Sequence, residues 1–206
     1  KANFLKLQIS SPTHSSKHLS SRPAMQPVTI LDSKQLDLTL NRLSFQLIER
    51  YLDFDNTAII GLQRTGAFLS SALVEKIKTT RKKSEVEHGL LDVTFFRDDF
   101  GRRDKPLAAY STELDFQIEG KHIVLVDDVL YTGRTIRAAL DALVSLGRPK
   151  SVELLVLIDR RFSRQLPIEP SYTGKKVDSI ATQHVRVEWD EKGFKKATLF
   201  EKQDQA

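Results

Sequence analysis

The sequence predicts an α/β fold with a central parallel sheet covered by helices on both faces. Two observations carry this expectation. Short apolar runs alternate along the chain with segments of helical periodicity, the order that gives right-handed crossovers and parallel strands. Several of those runs also lack polar alternation, as strands buried on both faces do.

The elements follow in order. "TILDSKQLDLTLNRLSFQLIERY" puts Leu36, Leu40, Leu43 and Leu47 on one helical face, with Asp32 or Ser33 as N-cap. "TAIIGL" reads as a short buried strand. "GAFLSSALVEKIK" is a helix with Leu69, Ala72, Leu73 and Ile77 on its inner stripe. "LLDVTFF" reads as a further strand, and "RDDFGRRDKPL" as an exposed mobile loop. "HIVLVDD" is an unbroken apolar strand. "TIRAALDALVSLG" is a helix with Ile136, Ala139, Leu140, Leu143 and Val144 facing inward and Gly147 at its end. "SVELLVLID" is another buried strand, and "HVRVEWDEKGFKKATLF" reads as a terminal hairpin.

The 206 residues suit one domain, and 40% of them are hydrophobic. No run approaches the roughly 18 apolar residues of a membrane span, so no membrane partner is expected. The chain has no cysteine, which excludes disulfides and thiolate metal sites and fits a reducing, cytoplasmic setting. A formal charge of +5 is compatible with anionic small molecules or RNA, and equally with a solubilising surface. Residues 1–25 are Ser-rich, and the first acidic residue is Asp32. They read as a disordered or non-native extension, with Met25 near the natural start and the folded domain over 26–206.

In a parallel sheet of this kind, ligands bind at the carboxyl ends of the strands. Three predicted strand ends carry polar residues: Gln63-Arg64-Thr65-Gly66, Asp127-Asp128 and Asp159-Arg160. After the aspartates, "TGRT" stands between strand and helix, where free backbone N–H groups and the helix dipole favour an anion. Gly133 lets that backbone come close, and Thr132 and Thr135 add hydroxyl donors. The turn lacks the Gly-Lys-Ser/Thr of a nucleoside-triphosphate loop. Two carboxylates beside an anion site need something between them. Ribose hydroxyls suit one side and a phosphate the other, so a sugar 5-phosphate fits, and a divalent metal would offset the acids' repulsion further.

"VLVDDVLYTGRT" resembles the phosphoribosyl-pyrophosphate (PRPP) signature of the type I phosphoribosyltransferases. The wider stretch, with "TILDSKQL", "TFFRDD" and "LPIEPSYTGKKV", resembles the PyrR family of pyrimidine operon attenuation proteins with uracil phosphoribosyltransferase activity. The likeness runs from about residue 26 to about residue 201. It implies the type I fold, with a small hood and a mobile active-site loop. It also implies conversion of uracil and PRPP to UMP and pyrophosphate, with Mg²⁺ entering alongside PRPP near Asp127 and Asp128.

By the same resemblance, Asp127, Asp128 and Arg97 serve the chemistry, Arg97 on pyrophosphate. Val129, Leu130, Tyr131, Thr132, Gly133, Arg134 and Thr135 form the 5-phosphate stretch. Arg64, Thr65 and Gly66 meet pyrophosphate, and Asp159 and Arg160 stand at the base pocket. Arg102 and Arg103 belong to the lid. Arg42, Arg161, Arg164, Lys175 and Lys176 are the cations offered to a pyr mRNA leader, across a homo-oligomer of two or more subunits.

The chain departs from the family at several of these points. "QRTG" exchanges the family's Thr-Arg order, Phe45 replaces a His, "RFSR" is one residue longer than Gly-His-Arg, and Glu169 replaces an Arg. Two other readings therefore stand beside the uracil transferase: an RNA-binding regulator that senses uridine nucleotides, and a transferase for a purine base.

Overall fold

The computed structural model describes residues 26–81, 85–100, 109–190 and 193–201. Residues 1–25, read above as an extension, lie outside them, as do the lid arginines Arg102 and Arg103.

The chain runs β1 (Val28–Leu31), α1 (Ser33–Tyr51), β2 (Thr57–Leu62), α2 (Thr65–Thr80), β3 (Glu87–Leu91) and a 3-10 turn (Thr94–Phe96). It continues with β4 (His122–Leu130), α3 (Arg134–Leu146), β5 (Ser151–Arg161), β6 (Tyr172–Asp178), β7 (Gln183–Asp190) and β8 (Gly193–Glu201). Five strands pair in the order β3-β2-β4-β5-β6, every pair parallel. The expected parallel sheet is therefore present. A second sheet, β1-β8-β7, is antiparallel.

Alternation along the strands sorts the core into two layers. Ile59, Val124, Val126 and Leu155 pack with α1, α2 and residues of the small sheet such as Leu31 and Ala197. Ala58, Ile60, Ile123, Leu125 and Val156 pack with α3 on the other face. β4 lies between β2 and β5, so its run from Ile123 to Val126 has no exposure. That explains the missing polar alternation.

α1 starts as its sequence suggests. Asp32 is the N-cap in a capping box: Gln35 N donates to Asp32 Oδ1 (2.8 Å), and Asp32 N donates to Gln35 Oε1 (3.1 Å). The terminal hairpin is β7–β8. "LLDVTFF" behaves differently from expectation. The strand covers Glu87–Leu91 and stops where Asp92 Oδ1 accepts from Thr94 N (2.9 Å) and Thr94 Oγ1 (2.6 Å). That local capture competes with the sheet ladder and turns the chain.

The inner stripe of α3 is also corrected. Ile136, Ala139 and Leu143 are buried as expected, but Leu140 and Val144 are 37% and 75% exposed. Ala138 and Ala142 take their place, so the helix rests on the sheet through small side chains. No helix among the described residues is long and apolar enough to cross a membrane.

The two faces of α3 give a direct check. Leu143→Ala is expected to cost about 2–5 kcal/mol in denaturant unfolding, and Val144→Ala less than about 0.5 kcal/mol. Equal losses would contradict this placement of the helix.

Candidate active site

The two aspartates of β4 follow its last pairing with β2, Val126 with Gly61, but the strand does not stop there. Val129 and Leu130 still pair with Ile158 and Asp159 of β5. The turn Tyr131–Gly133 follows, and α3 begins at Arg134. Gly133 is the helix N-cap at φ 90°, a left-handed conformation that costs glycine little; it brings no capping side chain, and Arg134 N makes a long hydrogen bond to Thr132 Oγ1 (3.4 Å). A Cβ at Gly133 would stand 3.3 Å from Ile168 and 3.4 Å from Leu166, so the turn is also packed from outside. A cavity of about 460 Å³ opens here, lined by Asp127, Arg97 to Asp99 and the stretch Val129 to Ile136. The geometry brings Asp127 at the strand end and the start of α3 to one space.

The aspartates face different ways because strand side chains alternate. Asp127 lines the cavity and is 8% exposed. Its Oδ1 accepts from Asp128 N at 2.9 Å. Burial pushes its carboxyl well above the usual range, and the neighbouring Asp128 charge adds to this. Asp128 is pushed up by burial too, against the pull of a hydrogen bond from the Thr65 hydroxyl. Both carboxylates are thus costly in the ligand-free protein, and a cation or hydroxyl donors would relieve them.

Thr65 opens α2, where the sequence pointed to an anion cradle. Arg64 is the N-cap residue, and its Nη1 donates to Tyr110 Oη at 3.4 Å. The Gln63–Arg64 peptide is cis. Gly66 is required by close approach, since a Cβ there would stand 2.5 Å from Val126 O and 3.1 Å from Asp127 Cα. The start of α2 therefore lies directly against the acid-bearing strand.

Arg97 lines the same cavity. Its guanidinium donates to Asp99 through Nε (2.8 Å) and Nη2 (3.0 Å), and to Thr135 Oγ1 through Nη1 (3.0 Å). Asp98 pairs with Arg134 and stands 4.0 Å from Arg137. The segment of residues 97–99 is thereby fastened over the first turn of α3. Asp92 also meets the chain at Tyr110, whose N donates to its Oδ2 at 2.7 Å. Asp92 escaped the sequence reading, although an aspartate two residues before a threonine is a common chain-reversing pattern.

The residues expected at the base pocket diverge. Asp159 is buried and borders a second cavity of about 320 Å³, with Phe162, Arg164, Pro167 and Ile168. Arg160 turns to the small sheet. It lies 3.9 Å over the Tyr131 ring and donates to Ser179 Oγ (3.0 Å) and Gln183 O (2.6 Å). Phe162 was also missed. It is 82% exposed at φ 65°, and nothing in "RFSR" signals a left-handed residue.

Four of the cations offered to RNA have internal partners. Arg42 donates to Thr173 O (3.1 Å) and Gly174 O (2.7 Å), and Arg161 forks onto Asp178 (2.5 and 2.7 Å). Arg164 holds Asp159 Oδ1 (2.5 Å) and the Tyr131 carbonyl, and Lys175 donates to Ile30 O (2.8 Å). Lys176 borders the second cavity.

This fold and strand-end arrangement define the class: the family described as "Phosphoribosyl transferase domain" matches residues 28–192. Solved structures agree in fold. A hypoxanthine phosphoribosyltransferase from Staphylococcus aureus superposes with a TM-score of 0.59 at 22% identity, covering 74% of this chain and 79% of that one. "Bifunctional protein PyrR" of Acetivibrio thermocellus is 47% identical over 77% of this chain and 85% of its own length. The protein of that name from Pelotomaculum thermopropionicum is 42% identical over 82% and 92%. The chain belongs to the PyrR family of phosphoribosyltransferases.

The raised Asp127 carboxyl has a consequence for stability. A carboxyl whose pKa is higher folded than unfolded favours the fold while protonated, and that support is lost as pH rises through the folded value. Asp127→Asn is uncharged throughout and keeps an acceptor for Asp128 N. Without ligand it is expected to melt a few degrees above the parent at pH 8, the gap closing as pH falls. A lower melting point at pH 8 would contradict the buried repulsion.

Proposed function

We propose that the protein transfers ribose 5-phosphate from PRPP to N1 of uracil, giving UMP and pyrophosphate. One observation carries the reading: the buried Asp127, first of the acid pair, and the start of α3 line the same cavity of about 460 Å³. In this reading the amides and hydroxyls from Thr132 to Thr135 hold the 5-phosphate. Asp127 and Asp128 accept from the ribose hydroxyls. Arg64, Thr65 and Gly66 meet the pyrophosphate, which Arg97 reaches once freed from Asp99.

The bond from C1 of the ribose to pyrophosphate breaks as the bond to uracil N1 forms, and N1 loses its proton. Positive charge builds on C1 as pyrophosphate departs, and the two carboxylates place negative potential beside it. Among the described residues no group of three or more His, Cys, Asp or Glu side chains could hold a metal alone. Two neighbouring carboxyls that burial makes costly fit a cation whose remaining ligands come from PRPP. Mg²⁺ bound there would offset the charge of the pyrophosphate and make it a better leaving group. The lid, fastened by Asp92, would exclude water from a centre that otherwise hydrolyses.

The word "bifunctional" in the relatives' name suggests a second activity, read here as binding of a pyr mRNA leader. Its support is thinner. Arg42, Arg161, Arg164 and Lys175 are engaged within the chain. Glu169, beside the second cavity, brings a negative charge that repels phosphate.

Incubation with PRPP, Mg²⁺ and single bases tests the main reading. UMP from uracil is the expected product, and IMP or GMP from a purine with none from uracil would overturn it. Asp127→Asn is expected to lower kcat/KM by about 100-fold or more while remaining folded.

A further inference from the structure

The second cavity is closed on one side by a loop that leaves β5 and folds back over the phosphate turn. β5 ends at Arg161, and Phe162 reverses the chain with its left-handed backbone. The returning segment then grips the turn through its backbone. Gln165 N donates to Thr132 O at 3.0 Å, and Leu166 N donates to the same oxygen at 3.2 Å. Arg134 Nε donates to Gln165 Oε1 at 2.7 Å.

Arg164 joins three segments at once. Its side chain starts on the loop, Nη1 donates to the Tyr131 carbonyl of the turn, and Nη2 donates to Asp159 Oδ1 at 2.5 Å. Asp159 is 6% exposed, and a carboxylate so buried needs a partner charge. It is also the register partner of Leu130, the residue just before Tyr131. The planar guanidinium therefore spans two neighbouring strand ends and fixes their spacing, which a flexible ammonium does less well.

We infer that Arg164 is a positioning residue of the transferase site, a role different from the RNA contact its sequence position suggested. It makes the 5-phosphate turn and the loop beside Asp159 one rigid unit, so that a base meets a preformed wall. The inference rests on the proposed uracil transfer. Arg164 acts through Asp159 and Tyr131 and touches no substrate.

Steady-state kinetics of the full chain with uracil and PRPP test it, using R164Q, R164K, D159N and the R164Q/D159N double variant. Hydrogen exchange at the Gln165 and Leu166 amides is followed in the ligand-free proteins. R164Q is expected to raise the uracil KM about 10-fold with kcat within about threefold, and to speed exchange at both amides. PRPP KM should change less, because Arg164 bonds the Tyr131 carbonyl and Asp159 rather than the backbone N–H groups that open α3. R164K should recover part of the uracil KM. The double variant should be no worse than R164Q, since both single changes break one contact.

An unchanged uracil KM in folded R164Q, or losses that add in the double variant, would overturn the inference. So would a loss of pyr-leader binding with uracil KM intact. If R164Q does not fold, D159N and R164K carry the same comparison. Parent protein that makes no nucleotide from uracil would sink the proposed function instead. Exchange then decides the positioning role: faster amides in R164Q support it, and unchanged amides overturn it.

Discussion

Two adjacent carboxylates inside a protein repel each other and lose hydration, and much of this fold is arranged around that cost. Asp127 and Asp128 stand on the central strand, with β2 on one side and β5 on the other. The strand directs one acid toward the α3 face and the other toward α2. Asp128 gains the Thr65 hydroxyl, while Asp127 gains the Asp128 backbone amide and the more distant Arg97. Gly66 allows α2 to reach the acids, and Gly133 starts α3 beside them. Under the proposed function, hydroxyls and a cation arriving with the ligand would relieve this cost. Stability is given up locally for the ability to bind.

The neighbouring charges show how the ligand-free protein manages in the meantime. Asp98 and Asp99 lie against Arg134 and Arg97, so carboxylates of the chain occupy the company that a phosphate would keep. These pairs are partly exposed, and each contributes little alone. Together they hold Asp98 and Asp99 near the turn without a strong commitment. A strongly charged ligand could exchange with them at small cost.

How legible was this in the sequence? Runs such as Ile123 to Val126 declared buried strands because nothing polar interrupts them. The acid pair with Thr-Gly-Arg-Thr was readable because each residue type has a local job. What escaped depends on distant partners. β6 has few apolar side chains and exists because β5 offers a free edge. The α3 stripe was misjudged because hydrophobicity favours Leu140 and Val144, whereas close packing on a sheet favours Ala138 and Ala142. Two of the cations offered to RNA, Arg42 and Lys175, also hold carbonyls far away in sequence. No spacing rule connects Arg42 to Gly174 or Lys175 to Ile30.

A crystal structure with UMP bound tests the central claim most directly. The phosphate should lie within hydrogen-bonding distance of the backbone N–H groups from Thr132 to Thr135, with the ribose hydroxyls on Asp127 and Asp128. A nucleotide found elsewhere, with those amides held by water or by the chain itself, would contradict it.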